Sequence, residues 1–236
     1  GNLIETNYRN HGELSRWDDN PWGVYPRGIG GRHIDGVGVV VTGLVHGEKE
    51  KWIPRGFWPV GARDTLINPV INIYRGSGAS LLGPVWGWLP LPGFHNTVRR
   101  NPVTGLREPV PALSTDPTSW PAFWPDRLHE EDSGWRGDDT DDNPNVAAWN
   151  GMFGKGVFNA DQESFYVIDD FSDKTYTIDP VTGEPFSDFG IFYPDPADST
   201  MGGMGLQVSV RILQWANLLA EDTMFLLYRI TNKGQT

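Results

Sequence analysis

The 236-residue sequence contains no cysteine and no long hydrophobic run. The absence of cysteine excludes disulfide bonds and a cysteine nucleophile. The most apolar stretch, VGVVVTGLV at 37–45, is interrupted by glycine and is half as long as the ~18 residues that identify a transmembrane helix. We therefore expect no membrane insertion.

Basic residues are scarce in the middle of the chain. Residues 116–200 carry 4 Lys and Arg against 19 Asp and Glu, whereas residues 1–115 carry 12 against 9, and the whole chain has a net charge of −11. An acidic middle argues against nucleic acids and anionic membrane surfaces as partners. It favours a cation or a basic protein surface, or it serves only to keep the chain soluble.

A sustained helical period is also missing, whereas turn-forming residues are abundant. The sequence has 29 Gly and 19 Pro, together with 12% aromatic residues. This composition predicts an all-β fold, a loop-rich antiparallel β-sandwich with few short helical turns, of which 216–222 is one. Pro69 confines part of one strand to an edge or a bulge. The predicted strands are 36–45, 66–74, 164–170, 174–178, 205–215 and 223–232.

The last two strands show the clearest alternation. Leu206, Val208, Val210 and Ile212 share one face of the first, with Gln207, Ser209 and Arg211 opposite, which is typical of a half-buried strand. In 223–232 both alternating rows are largely apolar. Segments 164–170 and 174–178 are predicted to form a hairpin, and the related turns NPVTG (101–105) and DPVTG (179–183) predict two more.

The predicted organisation has two regions or one continuous domain over 1–236. The first alternative divides the chain into a Gly/Pro-rich N-terminal β region (1–115) and an acidic-loop β-sandwich region (116–236). Lys233-Gly234 is a turn signal directly after the last strand, so we expect a sandwich that is incomplete at the C-terminus of this chain, which would then be a fragment of a longer one.

Several segments resemble the N-terminal region of large secreted or cell-surface proteins of Bacteroidetes and related phyla, of the kind exported by type IX secretion. The matching residues begin with Asn10, Gly12, the segment YPRGIG (25–30) and the strand Val37 to Gly43. The segments SWPAFWPDR (119–127), 149–170 and 219–234 are also similar. The resemblance implies a secreted protein, extracellular or on the outer cell surface. It transfers no activity and no site residue.

One acidic loop has the ligand spacing of a calcium site. Asp139, Asp141, Asn143 and Asn145 alternate in DDTDDNPN (138–145), and hard oxygen ligands at alternate positions are how a loop surrounds Ca²⁺. Pro144 and Asn150 stand where an EF-hand has Gly and Glu, so an EF-hand is excluded. The alternatives are a calcium loop of another kind, with Asp161 or Glu163 as distant ligands, and a solvated acidic turn.

Eleven tryptophans are the other unusual feature. Trp86, Trp88, Trp120 and Trp124 form two clusters. Large aromatic side chains usually fill cores and subunit contacts, and exposed ones stack on sugar rings. Core packing is the first interpretation, and carbohydrate binding is the alternative.

Enzyme signatures are poor. The five histidines are scattered without metal-ligand spacing, and the glycine-rich 27–32 segment precedes a strand rather than a helix. The sequence therefore predicts a non-enzymatic structural or assembly protein without an assigned cofactor, Ca²⁺ excepted. Its expected partners are other copies of itself or other surface proteins, for example head to tail with the acidic segment on a neighbour's basic half. The alternative function is a carbohydrate-binding or accessory module of a polysaccharide-degrading protein.

Overall fold

A computed structural model describes residues 2–15, 21–47, 66–74, 85–100, 105–107, 110–125, 135–136, 148–174, 176–186 and 191–235. The chain divides into two compact units, each built from separate stretches. The first unit comprises Gly1–Gly38, Pro90–Ile168 and Val208–Arg229, and the second comprises Val39–Leu89, Asp169–Gln207 and Ile230–Thr236. Residues 115 and 116 therefore both lie inside the first unit.

The first unit contains a group of strands that come from distant parts of the sequence. Strands β15 (Met224–Asn232), β14 (Leu206–Gln214) and β11 (Gln162–Asp169) lie side by side in that order. Strand β6 (Ala112–Leu113) pairs with β11. The unit also contains the hairpin β1–β2, the short pairs β7–β8 and β9–β10, and isolated bridges such as Leu14 to Val37. The strand bounds are β1 Gly23–Tyr25, β2 Gly31–Ile34, β6 Ala112–Leu113, β7 Phe123–Trp124, β8 Trp135–Arg136, β9 Asn150–Gly151, β10 Gly154–Lys155, β11 Gln162–Asp169, β14 Leu206–Gln214 and β15 Met224–Asn232.

The second unit contains the remaining strands, and the ends of β11, β14 and β15 continue into it. β3 pairs antiparallel with β4 from Val41–Asn72 to Gly47–Leu66, whereas β4 pairs in parallel with β5. β12 and β13 form a short antiparallel hairpin. The bounds are β3 Val41–Gly47, β4 Leu66–Tyr74, β5 Val85–Pro90, β12 Thr177–Ile178 and β13 Pro185–Phe186.

The prediction of an all-β, sandwich-like antiparallel fold is confirmed. Regular helix in the described residues is limited to a 3-10 turn at Pro117–Ser119, where the Asp116 carboxylate accepts the N–H of Thr118. The connection 216–222 was expected to form a helical turn, but it forms hydrogen-bonded turns in which Asn217 and Ala220 accept the N–H groups three residues on. Within the described residues, no helix is both long and apolar enough to span a membrane.

Strand β14 differs from the half-buried strand that its alternation predicted. Residues 208–213 are buried on both faces, including Ser209 and Arg211. The polar row is buried because it faces an aromatic core rather than water. This core consists of Phe94, Ala112, Trp120, Trp124, Ala148, Trp149, Phe165 and Val167.

The predicted hairpin between 164–170 and 174–178 is wrong. Residues 177–178 pair with 185–186 instead, across the DPVTG turn, where Asp179 accepts the N–H groups of Val181 and Thr182. The loop after β11 is held by other bonds, because the Asp170 carboxylate accepts the N–H groups of Met204 and Leu206. The sequence correctly predicted the turn at 179–183. At 170–174 the predicted hairpin does not form, because hydrogen bonds to residues distant in sequence hold this segment.

Candidate functional site

The tryptophans that the sequence singled out are buried where the structure describes their side chains. Trp88 in the second unit, and Trp120 and Trp124 in the first, are at most 6% exposed. Trp86 lies in β5, and its side chain is outside the described residues. The core interpretation is therefore correct for three of the four, and their burial leaves no exposed ring face for a sugar.

Hydrogen bonds explain why such polar-tipped side chains can be buried. Each indole N–H donates to a backbone carbonyl: Trp88 to Val39 at 2.8 Å, Trp120 to Leu113 at 2.6 Å and Trp124 to Ala148 at 3.3 Å. A buried indole without a partner would be costly. These tryptophans have a structural role, because their rings are buried and their indole N–H groups are already hydrogen-bonded.

A buried ion pair lies beside the aromatic core of the first unit. Glu163 and Arg211, on β11 and β14, are 0% and 4% exposed, and Arg211 Nη1 donates to Glu163 Oε1. The other carboxylate oxygen accepts the indole N–H of Trp149 at 3.1 Å, and the guanidinium lies 4.1 Å from the centre of the Phe165 ring. Burial lowers the pKa of Arg211, and the Glu163 charge opposes that shift. The carboxylate is held by its neighbours and is not placed as a catalytic base.

The calcium prediction concerns a loop outside the described residues. Asp139, Asp141, Asn143 and Asn145 all fall there. Of the two distant ligands that the sequence suggested, Glu163 is committed to Arg211 and Trp149, and Asp161 is exposed and accepts the Ala216 N–H at 2.6 Å. Among the described residues, no group of three or more His, Asp or Glu side chains could hold a metal ion.

The exposed side of β15 combines apolar side chains with the edge of a sheet. In the described part of the sheet, β15 is an end strand whose neighbour is β14. Its side chains alternate in exposure from Met224 to Arg229, and the exposed row includes Phe225 at 49% and Leu227 at 38%. Phe225 packs edge-to-face on Trp215, with ring centres 5.4 Å apart. Phe225 and Leu227 therefore lie on a strand with no second neighbouring strand in the described part of the sheet, which is the usual template for adding another strand.

Charged residues of opposite sign lie at both ends of this row. Glu221 and Asp222 precede β15, and Arg229 belongs to the same alternating row as Phe225. Glu221 and Thr223 lie in the turn that leads into β15, where their carbonyls accept the N–H of Leu3 and the side-chain amide of Asn2. An antiparallel second copy centred on Phe225 would therefore bring its Arg229 towards this acidic turn. Arg229 of each copy would then be attracted by the negative charges of Glu221 and Asp222 on the other.

Sequence reasoning recognised the alternation of β15 and expected a sheet left open after it, but it did not identify which side-chain row is exposed. The signal was present in the two apolar rows, since a strand that is apolar on both faces needs a cover on both. Which row would be uncovered depends on segments far away in sequence. The N-terminal segment has polar side chains, including Tyr8, but no local sequence pattern there indicates a binding site.

Comparison with known proteins identified no relative: no family model, no curated protein and no solved structure matches the chain. The candidate site therefore depends on the geometry of β15 and its neighbours alone.

Proposed function

We propose that this chain is a non-enzymatic assembly protein that pairs with a second copy of itself along β15. The observation that carries the proposal is the edge strand itself, with Phe225 and Leu227 exposed in one row and opposite charges at its two ends. The pairing is isologous and antiparallel, with Phe225 at the twofold axis. An isologous contact closes on itself and gives a dimer rather than a fibre.

The second copy is favoured as the partner because the edge is self-complementary. The acidic turn with Glu221 and Asp222 precedes the exposed row, and Arg229 lies towards its other end, so an antiparallel copy brings unlike charges together twice. Burying the exposed half of Phe225 on each copy contributes about 1 kcal/mol per side chain. A single strand pair is a small interface, so the dimer should be weak, with Kd in the micromolar range.

The core chemistry of the first unit supports a non-enzymatic role. Its most buried charged groups, Glu163 and Arg211, are bonded to each other and to aromatic neighbours. The resemblance to secreted surface proteins supports an extracellular or outer-surface location, where the dimer would act as a structural element. Other surface proteins with an open sheet edge are the alternative partners.

The test is sedimentation of the purified chain between about 5 and about 200 µM, a range that brackets a micromolar Kd. The mass should rise from monomer to dimer. Phe225→Glu should weaken the dimer at least about tenfold, because it places two carboxylates at the axis. Phe153→Glu is the matched control, since Phe153 lies in the same unit and is 62% exposed, away from β15.

A charge exchange tests the register. Glu221→Arg and Arg229→Glu should each weaken the dimer, and the double variant should recover most of the affinity. A monomer throughout the concentration range, or a dimer that responds equally to Phe153→Glu and Phe225→Glu, would disprove the proposal. Circular dichroism of each variant separates a lost interface from a lost fold.

A further inference from the structure

Two adjoining cavities lie in the first unit, between the N-terminal segment and strands β11 and β14. They measure about 170 and about 210 Å³. They share four lining residues, Ile4, Arg27, Gln162 and Gln214, so they form one continuous groove. We call it the N-terminal groove. It is separate from the exposed apolar row of β15 and was not indicated by any sequence pattern.

A buried hydroxyl faces this groove. Ser164, on β11, lines the first cavity and is 2% exposed, yet its Oγ makes no hydrogen bond of good geometry within the described residues. Its neighbour Tyr8 also lines the cavity. Burial raises the pKa of the Tyr8 phenol to about 12, against a smaller lowering by the Ser164 hydroxyl. Tyr8 is therefore a neutral donor at physiological pH, and Ser164 retains bonding capacity that folding has not used.

Amide side chains form the shared part of the groove. Gln214 Nε2 donates to the Ile4 carbonyl at 3.4 Å, which fixes the side chain at the groove wall. Gln162, next to it on β11, is half-buried. An amide offers an acceptor oxygen and two donor hydrogens, so this pair can bond both to a hydroxyl oxygen and to its hydrogen.

An aromatic ring and balanced charges complete the lining. Trp215 lines the second cavity, held by a 3.0 Å bond from its indole N–H to the Asn159 carbonyl and by its contact with Phe225. The Arg27 guanidinium is accompanied by Glu5 in one cavity and Asp161 in the other. Opposite charges in the same lining disfavour a ligand that carries a strong net charge of its own.

We propose that the N-terminal groove binds a neutral sugar unit. The groove offers hydroxyls, amides and one indole ring, and no charge dominates its lining. This combination suits the alternating donors and acceptors and the apolar ring face of a neutral pyranose. Ser164, Gln162 and Gln214 hold the sugar hydroxyls, and Trp215 contacts the ring. This site differs from the four tryptophans that the sequence suggested, and it adjoins the exposed row of β15 through the contact of Trp215 with Phe225.

The experiment is saturation-transfer NMR of the full chain with a panel of neutral disaccharides: maltose, cellobiose, xylobiose, lactose and mannobiose. A bound sugar is then titrated by calorimetry. Gln162→Ala and Gln214→Ala should each weaken binding about tenfold, as expected for the loss of bonds to a buried hydroxyl. Gln207→Ala, on the same strand β14 but outside the groove lining, is the matched control and should leave the affinity unchanged.

Ser164→Ala separates a binding role from a structural one. Because Ser164 Oγ makes no hydrogen bond of good geometry with the described part of the chain, its removal should leave the thermal midpoint unchanged or raise it, while sugar affinity falls. The proposal is overturned if no disaccharide gives a saturation-transfer signal. It is also overturned if the signal survives Gln162→Ala, Gln214→Ala and Ser164→Ala without loss of affinity.

Discussion

At the scale of single residues, two adjacent aspartates show how position decides the effect of a charge. Asp169 and Asp170 end β11 and begin the following loop in the second unit, and both are buried. Asp170 accepts two backbone N–H groups, from Met204 and Leu206. Asp169 accepts one, from Phe171, and burial together with the neighbouring charges raises its pKa to about 6. The carboxylate of Asp170 is therefore stabilised as an anion, and the carboxylate of Asp169 is not.

This difference predicts that replacing each aspartate by asparagine changes the free energy of unfolding in opposite directions. The folded pKa of Asp169 lies above its ordinary 3.8, so the folded chain holds the proton more tightly. The stability that comes from Asp169 is therefore present below about pH 4 and is lost as the pH rises to about 6. Asp169→Asn should raise the free energy of unfolding by about 1–3 kcal/mol at pH 7.5 and by little at pH 4, as measured by urea unfolding at both values.

Asp170→Asn is the companion variant. It keeps the size of the side chain but replaces one of two acceptor oxygens by a donor facing a backbone N–H. It should lower the free energy of unfolding by about 1–3 kcal/mol at pH 7.5. Equal effects of the two variants, or a loss of stability in Asp169→Asn at pH 7.5, would show that burial does not control Asp169.

The sequence could not assign the buried pair Glu163 and Arg211. Arg211 occupies the polar row of an alternating strand, which correctly indicates a strand and its two faces. Its partners lie far away in sequence: the Phe165 ring, 46 positions earlier, the Asn150 carbonyl, and the Glu163 carboxylate on another strand. A period of two identifies the faces of a strand, but it does not identify what packs on them.

At the scale of elements, the hairpin β1–β2 depends on a close backbone approach. The connection 26–30 closes with a 2.7 Å bond from the Gly30 N–H to the Pro26 carbonyl. A Cβ on Gly30 would lie 2.0 Å from the Tyr25 carbonyl oxygen, so any side chain there collides with the backbone. The glycine-rich segment 27–32 leads into a strand, as the sequence indicated, and the structure explains why glycine is required at position 30.

Gly30→Ala should therefore lower the free energy of unfolding by about 2 kcal/mol or more, because backbone must move to admit the methyl group. Gly36→Ala, two residues beyond β2 and with open space around its Cβ, should change it by less than about 0.5 kcal/mol. Thermal or urea unfolding of both variants gives the comparison. A Gly30→Ala variant as stable as Gly36→Ala would mean that the hairpin adopts a different turn.

The longest strands were predictable because they combine length with β-branched or alternating residues. Segments 66–74, 205–215 and 223–232 coincide with β4, β14 and β15 to within one residue at each end. Short pairs such as β9–β10 and β12–β13 have two residues per strand, too few for any period to be read. Partners were not predictable either, since β6 reaches β11 across about fifty residues of sequence.

At the scale of the whole molecule, the fold class followed from composition but the division into units did not. Abundant Gly, Pro and aromatic residues with no helical period indicate an all-β chain wherever its strands pair. Each compact unit is built from three separate stretches, and no linker marks the crossings. Composition changes near residue 115, where the chain becomes acidic, yet that point lies within the first unit.

The charge of the whole molecule distinguishes two ways of assembling. The net charge of −11 repels a second copy, and repulsion between extended charge distributions is screened by salt. Pairing along β15 depends on apolar contact and backbone bonds, and its two exposed acid–base pairs contribute only about 0–1 kcal/mol each. Head-to-tail contact between the acidic middle and the basic N-terminal half would instead depend on attraction.

We therefore expect the dimer to become tighter as NaCl increases from about 0.1 to about 1 M, which shortens the screening length from ~10 to ~3 Å. Sedimentation at constant protein concentration measures the change. A Glu221→Gln/Arg229→Gln double variant is the control: it removes the acid–base attraction, which salt also screens, and leaves the net charge as it is. It should therefore dimerise more weakly at low salt and tighten at least as much as NaCl increases. An assembly that dissociates as salt increases would instead support head-to-tail contact of opposite charges, because screening weakens attraction as effectively as repulsion.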